Sequence, residues 1–106
     1  IGLVVGSQGV AVRVELEGTK AVNSVAEGSP DLTASAMDVL DREWVSSLGR
    51  LWVRDPERDQ RWRSVWSDSA FSAPLVSIMA DAGMVVALAA DGGIIEGRAS
   101  WQRKQR

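Results

Sequence analysis

Val45-Ser46-Ser47-Leu48-Gly49-Arg50-Leu51-Trp52-Val53-Arg54 joins two apolar runs through a short polar turn that closes on Gly49. The same order occurs in residues 5–13, where the turn closes on Gly9, and in residues 88–96, where it closes on Gly92. The three turn glycines are 40 and 43 residues apart. A pattern that returns at an interval of about 40 residues indicates a repeated structural unit.

The second and third units correspond over a longer stretch. Leu32 and Leu75 are 43 residues apart, and Asp38 and Asp81 have the same separation, so the two units align without a gap. Units of about this length with four short antiparallel strands are typical of β-propeller blades. We therefore expect an all-β protein with about two and a half blades. Residues 1–28 would form an incomplete blade, residues 29–68 a blade, and residues 69–106 a blade with a truncated outer strand.

Short apolar runs, and an alternation of polar and apolar residues at 61–66, bounded by turn-forming clusters, predict the individual strands. We expect strands at residues 3–6, 10–16, 20–25, 32–36, 43–46, 51–54, 61–66, 73–78, 84–88 and 93–98, and the start of an outer strand at Trp101. The first unit would then lack its innermost strand. Because open strand edges recruit other strands, we expect the regions around Val4 and Ile94 to be paired or covered by another chain or by segments outside this sequence.

A helical interpretation competes in the middle of the chain. Ser29-Pro30-Asp31 is a good helix start, and apolar residues between Met37 and Leu51 recur at spacings of three and four, as on one face of a helix. Asp55-Pro56 could begin a second helix. This alternative gives an α+β protein with two central helices and a strand pair at each end. It leaves the spacing of the turn glycines unexplained, so we favour the all-β interpretation.

Composition excludes several functions. The 106 residues include no histidine and no cysteine, which excludes a Ser-His-Asp or Cys-His catalytic group, a disulfide and a cysteine–metal site within the chain. A net charge of −2 provides no general attraction to nucleic acid or to anionic membranes. No apolar run of about 18 residues and no signal peptide is visible. We expect no cofactor, no metal, no nucleic acid and no membrane as partners, and the compartment stays open.

Residues 30–56 resemble a known repeat. Pro-Asp-Leu-Thr-Ala at 30–34, Asp38, Arg-Glu-Trp-Val-Ser-Ser-Leu-Gly-Arg-Leu-Trp at 42–52 and Asp55-Pro56 resemble one repeat of the two-component-regulator type of β-propeller. The stretch is also similar to repeats of sialidase-like and photosystem-assembly-factor propellers. Arg98-Ala99-Ser100-Trp101 keeps only the last residue of a sialidase-type Asp box, and the histidine of WD40 blades is absent. The resemblance implies a propeller fold and supplies no catalytic residue.

Five tryptophans stand out in a chain with one other aromatic residue. We expect Trp44, Trp62 and Trp101, which recur at repeat-like positions, to pack between blades, as large aromatic side chains do in propellers. Trp52 and Trp66 are candidates for ligand contacts, because indole rings stack on sugars and on cations.

Charged residues favour structural roles. Arginines between residues 50 and 63 alternate with carboxylates, which predicts an exposed hairpin with mixed ion pairs rather than a nucleic-acid surface. Asp31, Asp38, Asp81 and Asp91 fall at predicted turns, where Asp bonds to nearby backbone.

These observations predict a non-catalytic binding scaffold. It would belong to a larger or self-associating propeller whose loops bind a protein or peptide partner. The predicted binding residues are Thr33, Ser35, Ser46, Ser47, Ser77, Ala90, Asp91, Trp52 and Trp66. A carbohydrate-binding, lectin-like propeller with sugar sites between blades is the first alternative. A fragment of an enzyme whose catalytic residues lie outside this chain is the second. Self-association or further blades would be needed to close the ring.

Overall fold

The computed structural model describes residues 2–22, 25, 30–55, 61–68, 70, 73–81 and 84–98. These residues form ten β-strands and a 3-10 turn at Ser7–Gly9. The strands are β1 (Gly2–Val5), β2 (Ala11–Glu15), β3 (Gly18–Ala21), β4 (Ala34–Met37), β5 (Glu43–Ser47), β6 (Arg50–Arg54), β7 (Arg63–Ser67), β8 (Leu75–Ala80), β9 (Met84–Ala89) and β10 (Ile94–Arg98).

The strands pair as three antiparallel sheets. The first sheet has the order β1-β2-β3, the central sheet β4-β5-β6-β7, and the third sheet β8-β9-β10. Each sheet is a meander of consecutive hairpins, which needs only short connections. The all-β prediction is confirmed. The alternative with two central helices is wrong, because the described residues from Ala34 to Arg54 contain three strands of the central sheet.

Most predicted strands are confirmed to within two residues at each end. The exception is the strand expected at residues 20–25, which the structure places at Gly18–Ala21. Glu15 pairs with Gly18, so only Leu16 and Glu17 form the turn and β3 begins directly after it. Trp101 and the outer strand expected there lie outside the described residues.

The repeated turn glycines have the backbone conformation that their positions in the sequence suggest. Gly9, Gly49 and Gly92 have φ angles of 76°, 70° and 94°. In this region a Cβ atom is strained, and glycine is the default residue. The glycine of the repeat is therefore explained by the geometry of the turn that follows β1, β5 and β9.

The second and third units do not align without a gap, contrary to the sequence prediction. Met37 pairs with Glu43, which leaves five residues between β4 and β5. Ala80 pairs with Val85, which leaves four residues at the corresponding turn. The next turn is one residue longer in the third sheet than in the central sheet. The two differences cancel. Leu32 and Leu75, before the first turn, and Gly49 and Gly92, in the second turn, are therefore both 43 residues apart.

The central sheet lies between the other two sheets and packs against both. The core between the central and third sheets contains Ala34, Trp44, Leu51, Val53, Ala73, Leu75, Ile78, Val85, Ala87 and Ala89. The core between the first and central sheets contains Leu3, Ala11, Val25, Leu32, Val45 and Trp52. Neighbouring residues of a strand point to opposite faces, and β5 has a sheet packed against each face. All five residues of β5 are therefore buried.

The sheets approach each other most closely at their first strands. β4 contacts both β1 and β8, and β5 contacts β8. Farther along the sheets, a pocket of about 200 Å³ separates β6 and β7 from β9 and β10. The central and third sheets therefore pack tightly at their first strands and leave an opening toward their last strands.

A buried carboxylate links the first and central sheets. Glu43, whose side chain is fully buried, accepts a hydrogen bond from Arg13 Nη1 at 2.7 Å and another from Arg54 Nε at 2.6 Å. Arg13 Nε also pairs with Glu15 at 3.1 Å. Burial lowers the pKa of Arg13, but the hydrogen bonds and charges of Glu43 and Glu15 outweigh it, so the pKa of Arg13 is raised.

A second buried carboxylate organises the turn between β4 and β5. Asp38 Oδ2 accepts hydrogen bonds from Arg42 Nε at 2.7 Å and from Trp44 Nε1 at 3.0 Å, and Asp38 Oδ1 accepts the Arg42 backbone N–H at 3.0 Å. Asp81 Oδ1 accepts the Met84 N–H at 2.9 Å in the corresponding turn. The prediction that aspartates bond to nearby backbone is confirmed for Asp38 and Asp81. It is wrong for Asp31, which accepts the N–H of Gln8, 23 residues away in the sequence.

Candidate binding face

Hydrogen bonds to backbone groups join several turns at one end of the stacked sheets. Asp31 Oδ1 accepts the Gln8 N–H at 2.8 Å, which ties the β1–β2 turn to the segment before β4. Leu48 forms an isolated bridge with Pro74, and the Ala90 N–H donates to the Pro74 carbonyl at 2.9 Å. We call this end the turn face; it comprises residues 6–10, 30–33, 47–50, 73–74 and 89–93.

An open pocket of about 570 Å³ lies on the turn face. Its lining residues come from the segment before β4, the β5–β6 turn and the segment before β8: Pro30, Asp31, Thr33, Ser47, Leu48, Arg50 and Pro74. Apolar and charged groups are mixed in this lining. Leu48 is 55% exposed although it is a large apolar residue, and the turn that carries it is held by strands on both sides.

Arg50 provides a positioned positive charge at the pocket. Its guanidinium carbon lies 4.7 Å from the centre of the Trp52 ring, which is a cation–π distance. Trp52 is itself buried in the core between the first and central sheets. The ring therefore fixes the guanidinium at the surface without neutralising its charge.

Two of the predicted binding residues lie together at the pocket. Thr33 and Ser47 both line it. The Thr33 hydroxyl forms a hydrogen bond of 3.0 Å with the Ser46 hydroxyl, and Ser46 is fully buried. Ser46 therefore supports Thr33 from within the protein. Trp52 supports Arg50 in the same way and has 2% exposure.

The other predicted binding residues do not line this pocket, although Ala90 and Asp91 belong to the turn face. Ser35 donates a hydrogen bond to the Leu3 carbonyl between the central and first sheets. Ala90 and Asp91 are exposed in the β9–β10 turn, where Asp91 Oδ1 accepts the Gly93 N–H at 2.9 Å. Ser77 is exposed in β8, and half-buried Trp66 lines the pocket between the central and third sheets.

Sequence analysis missed Leu48 and Arg50 as binding candidates. Leu48 was interpreted only as a turn residue, and Arg50 as part of a solvated basic cluster. The pair Arg50 and Trp52 could have identified Arg50 as a candidate, because residues two apart on a strand share a face. Contact of Pro74 with Leu48 has no sequence signal, since it depends on how two sheets stack.

No three His, Cys, Asp or Glu side chains among the described residues are placed to hold a metal ion. None of the described residues belongs to a helix with the length and hydrophobicity of a membrane span. Comparison with protein-family models, curated proteins and solved structures gives no match to this chain.

Proposed function

We propose that this chain is a non-catalytic binding scaffold of the β-propeller type, and that its turn face binds a peptide segment of a protein partner. The observation that supports this most directly is the open pocket of about 570 Å³ where the turns of different sheets meet. Loops on a rigid sheet framework are frequent locations of binding residues. The lining of the pocket has the apolar and charged groups that peptide recognition needs.

Three features of the packing support the propeller part of the proposal. The sheets are meanders in chain order, they stack face to face, and the first strands of the central and third sheets, β4 and β8, contact each other. In a propeller the innermost strands line a central channel, and the connecting turns gather at its two ends. The turn face corresponds to one such end.

The pocket favours a partner with an apolar and an acidic side chain near each other. Leu48 and Pro74 form an apolar surface that an aliphatic or aromatic side chain could cover. Arg50 stacks on an indole and has no ion pair among the described residues. A carboxylate of the partner could accept two hydrogen bonds from this guanidinium, the strongest common form of such a contact.

Selection of peptides from a random display library on the immobilised chain tests the proposal. We expect selected peptides to bind with micromolar dissociation constants, measured by fluorescence polarisation. Leu48→Ser and Arg50→Glu should each weaken binding by about tenfold or more, equivalent to about 1.4 kcal/mol. Selected sequences should contain an acidic residue close to an apolar one.

Val39→Ser is the matched control. Val39 is 77% exposed and lies in the β4–β5 turn, at the opposite end of β5 from Leu48. This change removes an apolar side chain that is more exposed than Leu48, and it should leave peptide affinity unchanged. If selected peptides bind the Leu48 and Arg50 variants as tightly as the original chain, the turn face is not the binding site.

A carbohydrate-binding propeller is the second candidate, and Trp66 supports it. Its half-buried ring lines the pocket of about 200 Å³ between the central and third sheets, the position that a sugar site between blades would have. Screening on a glycan array, followed by titration of tryptophan fluorescence, tests this candidate. A sugar that binds the original chain and not Trp66→Leu would favour it over the peptide scaffold.

A further inference from the structure

Each sheet has a forward face, which points toward the next sheet along the chain, and a backward face, which points toward the preceding sheet. Leu3 of the first sheet points toward the central sheet, and Trp44 of the central sheet points toward the third. In the opposite direction, Val45 of the central sheet points toward the first sheet, and Ala87 of the third sheet points toward the central sheet. The forward face of one sheet therefore packs against the backward face of the next sheet at two places in the chain.

Two sheet faces in this order lack a partner among the described residues. The backward face of the first sheet, which we call the N-terminal outer face, presents Gly2, Val4, Val12, Val14, Thr19 and Ala21. The forward face of the third sheet, which we call the C-terminal outer face, presents Ser77, Met79, Met84, Val86, Leu88 and Ile94. Val4 is 57% exposed, Ile94 65% and Met79 71%.

We propose that the C-terminal outer face of one molecule binds the N-terminal outer face of a second copy, head to tail. The N-terminal outer face is a backward face and the C-terminal outer face a forward face, and neither has a facing sheet among the described residues. Together they can form the type of contact that occurs twice within the chain. The register places two charged residues, Glu96 and Arg98, on the edge strand of the C-terminal outer face. The other residues named for the two faces are uncharged, so association buries mainly apolar surface. The inference deepens the proposed function, since a ring requires such a contact.

The size of the faces predicts a weak, reversible contact. Three strands of about five residues cover roughly 14 by 17 Å, from the usual strand spacing and rise. This footprint is smaller than the surface of about 800 Å² per partner in stable complexes. A head-to-tail contact also leaves one of each face open at the ends, so it repeats until a ring closes or a filament grows. We therefore expect association that increases with protein concentration.

Sedimentation velocity on the chain and on two charge variants tests the inference. Leu88→Lys places a charge on the C-terminal outer face, and Val4→Lys places one on the N-terminal outer face. We expect the original chain to form larger species as concentration rises from about 10 µM to about 1 mM, the range of weak affinities. Each variant alone should be monomeric. An equimolar mixture of the variants should form a one-to-one dimer, because each supplies the face that the other lacks.

The mixture also controls for folding, because two misfolded variants would not restore a defined dimer. Leu16→Lys is the matched control; Leu16 is exposed in the β2–β3 turn, outside both faces, and this variant should associate like the original chain. A monomeric original chain at every concentration would overturn the inference. A dimer of Val4→Lys alone would overturn the head-to-tail arrangement in favour of one face pairing with itself.

Failure of this inference is distinguishable from failure of the proposed function. Peptide affinity at the turn face is measured on the same Val4→Lys and Leu88→Lys proteins. Both changes lie outside the turn face, so peptide binding should persist in the monomeric variants. Loss of association with retained peptide binding supports both proposals, and an original chain that binds peptide but never associates contradicts only the second-copy contact.

Discussion

Replacement of Glu43 by Gln is the sharpest test of how the first and central sheets are joined. The change keeps the shape of the side chain but removes the charge that Arg13 and Arg54 share. Loss of one member of a buried ion pair costs about 3–5 kcal/mol, because the remaining charge stays buried without compensation. Arg13 and Arg54 keep 18% and 12% side-chain exposure, so water can reach them in part. We therefore expect the free energy of unfolding to fall by about 3 kcal/mol.

Urea unfolding followed by tryptophan fluorescence measures this change. With a denaturant slope of about 1–3 kcal/mol per molar for a small protein, the midpoint should fall by about 1–3 M. Glu15→Gln is the matched control, since Glu15 also pairs with Arg13 but its side chain is 32% exposed. Exposed pairs contribute about 0–1 kcal/mol, so this variant should lose at most that amount.

A double-mutant cycle shows whether the loss comes from the ion pair itself. In the Glu43→Gln background, Arg13→Gln should cost about 1–2 kcal/mol less than it does in the original chain, because its partner is already neutral. If Glu43→Gln and Glu15→Gln destabilise the protein equally, or if the cycle gives no coupling, the buried carboxylate does not join the two sheets in the way argued above.

Three further changes test separate features of the fold, each by urea unfolding. Asp38→Asn removes the buried charge shared by a guanidinium and an indole N–H and should cost about 3 kcal/mol; a loss below about 1 kcal/mol would contradict the argument. Gly92→Ala should cost about 1–2 kcal/mol because its φ is 94°, whereas Gly2→Ala in a strand, where an added Cβ meets no atom within 4 Å, should not destabilise the protein. Leu75→Ala, which removes a fully buried side chain, should cost about 2–5 kcal/mol, and equal losses for Leu75→Ala and exposed Leu16→Ala would show that this core is misplaced.

Local sequence pattern was sufficient for the strands and their hairpins. The two strand-like runs at residues 43–46 and 51–54, with a turn that closes on Gly49 between them, predicted β5, β6 and their tight turn, because short hairpins depend on interactions a few residues apart. The spacing of Gly9 and Gly92 extended this result to the other two sheets. The same spacing concealed the unequal turns between β4, β5 and β6, because a residue lost in one turn and gained in the next leaves the total unchanged.

The candidate site could be predicted only in part. Thr33 and Ser47 were expected and line the turn-face pocket. Ser46 and Trp52 were expected as well, but they lie beneath the surface, where they support Thr33 and Arg50. Alternation along a strand shows which residues share a face, but it does not show which face will be covered by another sheet.

Residues far apart in the chain acquired their roles through the stacking of the sheets. Glu43 was expected only as part of a short strand; its burial between Arg13 and Arg54 exists because the first sheet lies against the central one. The pocket depends likewise on Pro74 reaching Leu48 from another sheet. Strand formation follows from local periodicity and turn chemistry. Sheet stacking results from the burial of apolar residues that are far apart in the sequence. This driving force is non-directional, and the packing becomes specific only when two complete sheet faces meet.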